Sequence, residues 1–200
     1  ACVLQQDMPP FGVVRRGCAM RWAGLLPRMR FGQRRNFVFR EDLAAKVAEY
    51  AAMKPNPVSL HSWLGEFAEP VQLAEFLCTE MPIRYAERIR NIESIPAWQD
   101  IKELVDVHTI QLNAFQAFAE QSRTQWQDVQ HFKPVVEEVQ AADRMTKLLL
   151  MQAAQKLRRQ RGTDSFMDEF SLELNKFLDV FLLSRLGCNM LMGQYLACTG

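Results

Sequence analysis

The sequence is poor in glycine, and its glycines are not arranged as ligand-binding loops. Nine of its 200 residues are glycine, and four of these fall within the first 40 positions. The five later glycines are isolated from one another and form neither a G-x-G turn, a phosphate-binding P-loop nor a G-x-S-x-G elbow. Because phosphate binding relies on glycines that bring backbone amides close to the ligand, we expect no nucleotide site and no cofactor.

Cysteine and histidine are too few and too scattered for a metal centre or a disulfide framework. None of the five cysteines forms a C-x-x-C pair, and the three histidines lack ligand spacing. We therefore expect no metal, no catalytic nucleophile, and reduced thiols in an intracellular compartment. The residues concerned are Cys2, Cys18, Cys78, Cys188, Cys198, His61, His108 and His131.

Long hydrophobic runs and a strong net charge are also missing. A membrane-spanning helix needs roughly 18 or more apolar residues, and the nearest run, residues 181–192, is interrupted by Ser184, Arg185 and Asn189. We therefore predict no membrane span. The net charge is +1, so electrostatic recruitment of nucleic acid or membrane would have to be local.

A local excess of positive charge lies at the N-terminus. Residues 1–40 contain eight arginines against one acid, Asp7, so we treat 1–39 as an Arg-rich extension and 40–200 as the folded domain. The extension resembles a mitochondrial transit peptide, but it could equally be an ordered arm that lies on a partner. Its arginines alternate with aromatic residues, which suits ribosomal RNA as well as an acidic protein groove. The candidate contact residues are Arg15, Arg16, Arg21, Arg28, Arg30, Arg34 and Arg35.

From residue 41 onward the apolar residues recur at helical spacing, and no segment alternates as a β-strand does. We predict helices over 41–53, 60–68, 71–95, 97–122, 131–161 and 166–196. Pro82 falls inside the third, where a proline costs about 3 kcal/mol, so we expect a kink or two abutting helices there. Long helices joined by short turns predict an all-α, up-and-down four-helix bundle preceded by short helices.

Three segments of this helical region resemble one protein family. They are "KPNPVSLHSWLGEF", "FLCTEMPIRYAERIRNIESIP" and "FLDVFLLSRLGCNMLMGQY". In order and nearly without gaps, from about residue 40 to 197, they are similar to the mitochondrial pyruvate dehydrogenase kinases and branched-chain ketoacid dehydrogenase kinases. The resemblance implies a mitochondrial protein on the matrix side, and it extends only over the N-terminal helical bundle of such kinases.

In that family, catalytic, magnesium and nucleotide residues belong to a C-terminal ATP-binding domain, of which we find nothing in this sequence. The resemblance also implies an effector pocket for small anionic acids in the bundle centre. On alignment, Gln140 and Asn189 stand at two arginine positions, Asp143 stands at a histidine position, and Arg185 is retained after Ser184. We expect anion sensing to be lost, with Arg185 and Asp143 paired across the bundle, although a relic pocket is the alternative.

These features favour a non-catalytic pseudoenzyme, a structural or adaptor subunit of a larger mitochondrial assembly, such as a supernumerary subunit. Its partners would be the protein subunits of that assembly, with ribosomal RNA as a further candidate through the arm. The alternative is the N-terminal regulatory domain of an active serine kinase of this family, which would form a homodimer and bind a lipoyl domain.

Overall fold

The computed structural model describes residues 39–59, 65, 69–121, 123–161 and 169–200. All regular secondary structure in these ranges is helical, which confirms the all-α class. The predicted helix 60–68 and the extension 1–39 fall almost entirely outside the described residues, so the domain boundary at residue 40 stays a prediction. The α-helices are α1 (Phe39–Ala51), α2 (Pro70–Glu93), α3 (Lys102–Ala119), α4 (Arg123–Gln127), α5 (Val129–Asp143), α6 (Thr146–Arg161) and α7 (Glu169–Cys198).

Helix α2 begins at Pro70, where a proline fits because the first helical amide has no intrahelical partner. It continues without interruption through Pro82 to Glu93, so the expectation of two abutting helices was wrong. Met81, Pro82 and Ile83 are all buried. Burial of apolar side chains around the proline offsets the hydrogen bond that the ring removes.

The turn between α2 and α3 is longer than the sequence predicts. Helix α3 begins at Lys102 rather than Ala97, because a 3₁₀ turn at Trp98–Asp100 intervenes and Ala97 adopts the left-handed conformation with φ of 58°. The Trp98 ring stacks on His108 with centroids 4.5 Å apart, and His108 Nε2 lies 3.1 Å from Glu93 Oε1. These contacts join α3 to the end of α2 and to the turn between the two helices.

The segment predicted as one helix over 131–161 is two helices. Asp128 caps the first, since its side chain accepts a hydrogen bond from the amide of Gln130 at 2.9 Å. Helix α5 ends at Asp143 and α6 begins at Thr146. Both run antiparallel to α7, because Lys133 Nζ donates to the carbonyl of Thr199 at 2.9 Å and Arg158 Nη2 donates to Asn175 Oδ1 at 2.9 Å.

Helix α2 packs against α3 and α7, α3 against α6, and α6 against α7. The up-and-down order of the whole bundle stays a prediction. One apolar cluster joins α1, α2, α3, α4, α5 and the C-terminal part of α7, and includes Phe115, Phe118, Phe132 and Tyr195. A second cluster joins the end of α2 with the N-terminal parts of α3 and α7 and with α6.

The apolar residues of α7 are only partly buried. Phe181 and Tyr195 are fully buried, but Leu186 and Met190 are 57% and 53% exposed. Because α7 carries apolar residues on every side, helical spacing alone does not select its buried face. In α5 and α6, Val139 and Leu157 lie in the core, whereas Met145, in the turn between the two helices, is exposed.

Candidate functional site

A layer of buried polar residues separates the two apolar clusters. On α3 and α5–α6, and at Ser184 and Arg185 on α7, it falls between the segments that supply those clusters. We call it the polar centre and define it by Tyr85, Arg88, Gln111, Asp143, Thr146, Ser184, Arg185 and Asn189. Polar groups buried in this way cost free energy unless they are paired, so their partners decide what the layer can do.

Asp143 forms the best-connected part of the polar centre. Its side chain is 2% exposed, and its Oδ2 lies 2.7 Å from Arg185 Nε in an ion pair. Asn189 Nδ2 donates to the same oxygen at 3.0 Å, and Arg185 Nη2 donates to the main-chain carbonyl of Asp143 at 2.9 Å. The expected pairing of Arg185 with Asp143 is therefore present, and Asn189 joins it.

The other two predicted pocket residues lie close by but do not complete this network. The Ser184 hydroxyl is buried and has no hydrogen-bond partner within the described part of the chain. Gln140 lies nearly one turn before Asp143 and faces α7, since its Nε2 would be 3.9 Å from a Cβ added at Gly193. The structure thus brings Asp143, Arg185 and Asn189 into one network and leaves Gln140 and Ser184 beside it. A relic-pocket role for these residues stays a proposal.

Arg88 is the residue that sequence reasoning missed. It is fully buried; its guanidinium carbon lies 4.2 Å from the Tyr85 ring centroid and its Nη2 donates to Cys188 Sγ at 3.4 Å. Its Nε donates to the main-chain carbonyl of Arg84 at 3.4 Å, and its Nη1 has no hydrogen-bond partner among the described residues. A buried arginine is rare without a carboxylate partner, and helical spacing had given no sign of this one.

The presence of Arg88 changes the expected charge of the centre. The aligned substitutions alone suggested that an acid had replaced the cations of the pocket. Arg88 is fully buried and interacts electrostatically with Asp143, so together with Arg185 the centre holds two guanidinium groups and one carboxylate. Of the two oxygens of this carboxylate, Oδ2 contacts Arg185 and Asn189, and Oδ1 has no hydrogen-bond partner among the described residues.

Burial controls the ionisation of the groups around Arg88. By itself burial lowers the pKa of Arg88, but attraction to Cys188, Tyr85 and Asp143 outweighs it and raises that pKa. Burial raises the pKa of Cys188, which Arg88 only partly counteracts, and also raises the pKa of Tyr85. Arg88 is thus charged while the Cys188 thiol and the Tyr85 phenol stay protonated at neutral pH, which leaves neither as an activated nucleophile.

The thiol of Cys78, on α2, yields a pH-dependent prediction. Burial raises its pKa from 9.0 to about 12. Because the unfolded chain loses this proton near pH 9 while the folded chain keeps it, the free energy of unfolding should fall as pH rises above 9. Urea unfolding measured from pH 8 to pH 11 should show a shallower decline in Cys78→Ala than in the unsubstituted protein. Equal slopes would contradict the assignment.

An open groove lies between α1 and α3, with a volume of about 290 Å³. Acidic and basic side chains line it together, including Asp42, Lys46 and Glu120, beside the ring of Phe115. The mixed charge favours no single class of ion. The seven arginines proposed as an arm, from Arg15 to Arg35, lie outside the described residues.

In the part of the chain that the structure describes, no group of three or more histidine, cysteine or acidic side chains is placed to hold a metal ion. Over the same residues, no helix combines the length and the apolar character needed to cross a membrane.

Comparisons with known proteins agree with the three resembling segments. A family model for mitochondrial branched-chain alpha-ketoacid dehydrogenase kinase matches residues 58–200. The chain is also 28% identical, over 167 residues, to the mitochondrial [pyruvate dehydrogenase (acetyl-transferring)] kinase of Arabidopsis thaliana. That alignment covers 79% of this chain and 44% of the relative, so the chain spans less than half the relative's length. The expected mitochondrial location is confirmed, and the chain belongs to the family of the mitochondrial branched-chain α-ketoacid dehydrogenase kinases.

Proposed function

We propose that the chain is a non-catalytic structural or adaptor subunit of a larger assembly on the matrix side of the mitochondrion. The observation that carries this proposal is the buried ion pair between Asp143 and Arg185 in the polar centre. Asp143 is neutralised by Arg185 and held by Asn189, so an incoming small acid would meet a carboxylate in a pre-formed ion pair. Such a domain holds its helices in place instead of sensing a metabolite.

The chemistry of the described residues supports the same conclusion. The thiols of Cys78 and Cys188 are protonated at neutral pH because burial raises the pKa of each. Arg88 stacks on an aromatic ring and contacts a thiol, and no carboxylate accepts a hydrogen bond from it. Among the described residues, therefore, no nucleophile stands beside a base and no glycine loop is placed to bind phosphate.

A nucleotide-binding test separates this function from a kinase. A ligand present at 100 times its Kd stabilises the folded protein by about 2.7 kcal/mol, which raises Tm by about 5–10 °C in a domain of this size. We expect Mg-ATP to leave the Tm of the protein purified from mitochondria unchanged. A rise in Tm of about 5–10 °C with Mg-ATP would overturn the proposal.

The second candidate is the regulatory domain of an active serine kinase. It is favoured by the length comparison, since the chain covers only 44% of its Arabidopsis relative. Such a domain would bind a lipoyl domain of a dehydrogenase complex. A binding assay with lipoylated domain, using the same domain without lipoate as control, should show no difference for an adaptor and selective binding for the regulatory domain.

A further inference from the structure

The part of the chain around α6 concentrates positive charge without any acid. Residues 144–161 contain six basic residues and no aspartate or glutamate, although the net charge of the whole chain is only +1. Lys156 and Arg158 contact side chains of α3 and α7. Three others are exposed and form no ion pair with the described residues: Arg144, Lys147 and Arg159. The folded domain therefore carries local charge that can attract an anionic partner.

Large apolar side chains are exposed in the same region, on α6 and on the neighbouring α7. Leu183 is 70% exposed, the highest value among the large apolar residues of the described chain. Apolar surface of this kind commonly marks an interaction site. Six exposed residues form what we call the apolar face: Leu148, Met151, Val180, Leu183, Leu186 and Met190.

The apolar face is one broad surface because α6 and α7 lie side by side. The ion pair of Asp143 with Arg185 and the hydrogen bond of Arg158 with Asn175 fix their antiparallel alignment. Interpolation between these contacts places the apolar residues of α6 at the same height as those of α7. The face is about 15 Å long and two helices, or about 20 Å, wide. Its area of about 300 Å² is that of a functional apolar patch.

The charge that borders the apolar face has one sign. Arg144 and Lys147 each lie four residues before an apolar residue of the face, which puts them on the same side of α6. On α7 no acidic residue occurs in 180–200, and the one basic residue of that range, Arg185, is paired with Asp143. The acid nearest in sequence, Asp179, stands at the edge of the face.

We propose that the apolar face binds the surface of a lipid bilayer that contains anionic lipids. The chain lies on this surface without crossing it. Leu183, Leu186 and Met190 enter the boundary between headgroups and acyl chains, while Arg144 and Lys147 contact the lipid phosphates. Apolar residues bordered by basic residues are the pattern of helices that lie in the plane of a membrane interface.

A bilayer uses both parts of this surface, whereas other partners use one. A nucleic acid would contact the basic residues but would leave the apolar side chains in water. Protein interfaces are depleted in lysine, and the basic border of this face includes Lys147. One Lys or Arg near an anionic membrane strengthens binding about fivefold, so Arg144, Lys147 and Arg159 together contribute about 100-fold. The inference is independent of the proposed function, because an adaptor or a regulatory domain could equally lie on a membrane.

Cosedimentation of the full 200-residue chain with vesicles tests the proposal. We expect the chain to bind vesicles of phosphatidylcholine with about 30% phosphatidylserine, and to bind vesicles of phosphatidylcholine alone about 100-fold more weakly. Raising the salt from about 0.1 M to about 1 M shortens the Debye length from about 10 Å to about 3 Å, so it should weaken binding to the anionic vesicles.

Two substitutions within the face separate its apolar and basic contributions. Leu183→Glu should weaken binding to the anionic vesicles by about 10-fold or more, with unchanged helical circular dichroism because this side chain is exposed. Its matched control is Met53→Glu, which alters an exposed apolar residue elsewhere. Arg144→Gln combined with Lys147→Gln should weaken binding about 25-fold.

The control for the basic pair is Lys46→Gln combined with Lys54→Gln, which changes the net charge equally at exposed positions outside the face. Both controls should bind as the unsubstituted chain does. All variants keep the arginines of residues 1–39, so binding that survives Leu183→Glu and the basic pair would come from that extension and would overturn the proposal. Sensitivity to the basic pair but not to Leu183→Glu would indicate a site for nucleic acid and would overturn it as well. A chain that binds neither kind of vesicle, as one whose apolar face serves a protein would, also contradicts it.

Discussion

Replacing Asp143 with alanine should lower the free energy of unfolding by about 3–5 kcal/mol, the usual cost of breaking a buried ion pair by removing one partner. Asp143 is 2% exposed on its side chain and lies 2.7 Å from Arg185. Its loss would remove the ion-pair partner of Arg185 and the negative charge that interacts with the fully buried Arg88. Equilibrium urea unfolding measures the effect, which is a large fraction of the stability of a typical domain.

Two further variants make this test specific. Asp143→Ala combined with Arg185→Met removes both charges of the pair, so it should cost less than Asp143→Ala alone. Glu173→Ala is a matched surface control, because Glu173 forms an ion pair with Lys176 at 2.7 Å and both side chains are largely exposed to solvent. Its cost should stay below about 1 kcal/mol. If Asp143→Ala lowers the free energy of unfolding by less than about 1 kcal/mol, the ion pair between Asp143 and Arg185 does not stabilise the polar centre.

Phe132→Ala should lower the free energy of unfolding by about 3–5 kcal/mol, the range for truncating a buried aromatic ring. Phe132 is fully buried and makes edge contacts with Phe118 at 6.1 Å and with Tyr195 at 5.3 Å between ring centroids. One ring therefore joins α3, α5 and α7, and its removal leaves a cavity at their junction.

Phe132→Leu is the matched variant, since it keeps most of the apolar volume but removes the ring contacts. It should cost less than about 2 kcal/mol. Thermal or urea unfolding of the two variants should therefore separate volume from ring geometry. Equal losses for leucine and alanine would mean that the edge contacts, and not the filled volume, dominate at this site.

Much of the fold could be predicted from sequence because long helices leave periodic patterns. Helix α7 was predicted over 166–196 and spans Glu169–Cys198. The break in the helix after Asp143 was not predicted, because the apolar residues keep helical spacing across it. Such spacing carries no information on whether the backbone hydrogen bonds of the helix are made.

The candidate site was harder to predict than the fold. Alignment with the family placed Asp143, Arg185 and Asn189 near one another, and the structure joins them. Arg88 escaped because arginines at helical spacing are usually solvated on an outer face. Its burial depends on the Tyr85 ring and on Cys188 from another helix, and such a contact between distant segments cannot be read from local sequence.

The interruption between α5 and α6 has a consequence for how the helices are aligned. The last carbonyls of a helix have no amide partner within it, so the carbonyl of Asp143 can accept the hydrogen bond from Arg185 at 2.9 Å. In a continuous helix the amide of Lys147 would take that position. Arg185 therefore contacts both the main-chain carbonyl and the side-chain carboxylate of Asp143. A shift of α7 along its axis by one turn, about 5.4 Å, would break both contacts at once. The apolar surfaces of α5 and α7 alone would allow several such alignments, and the contacts of Arg185 with Asp143 select one of them.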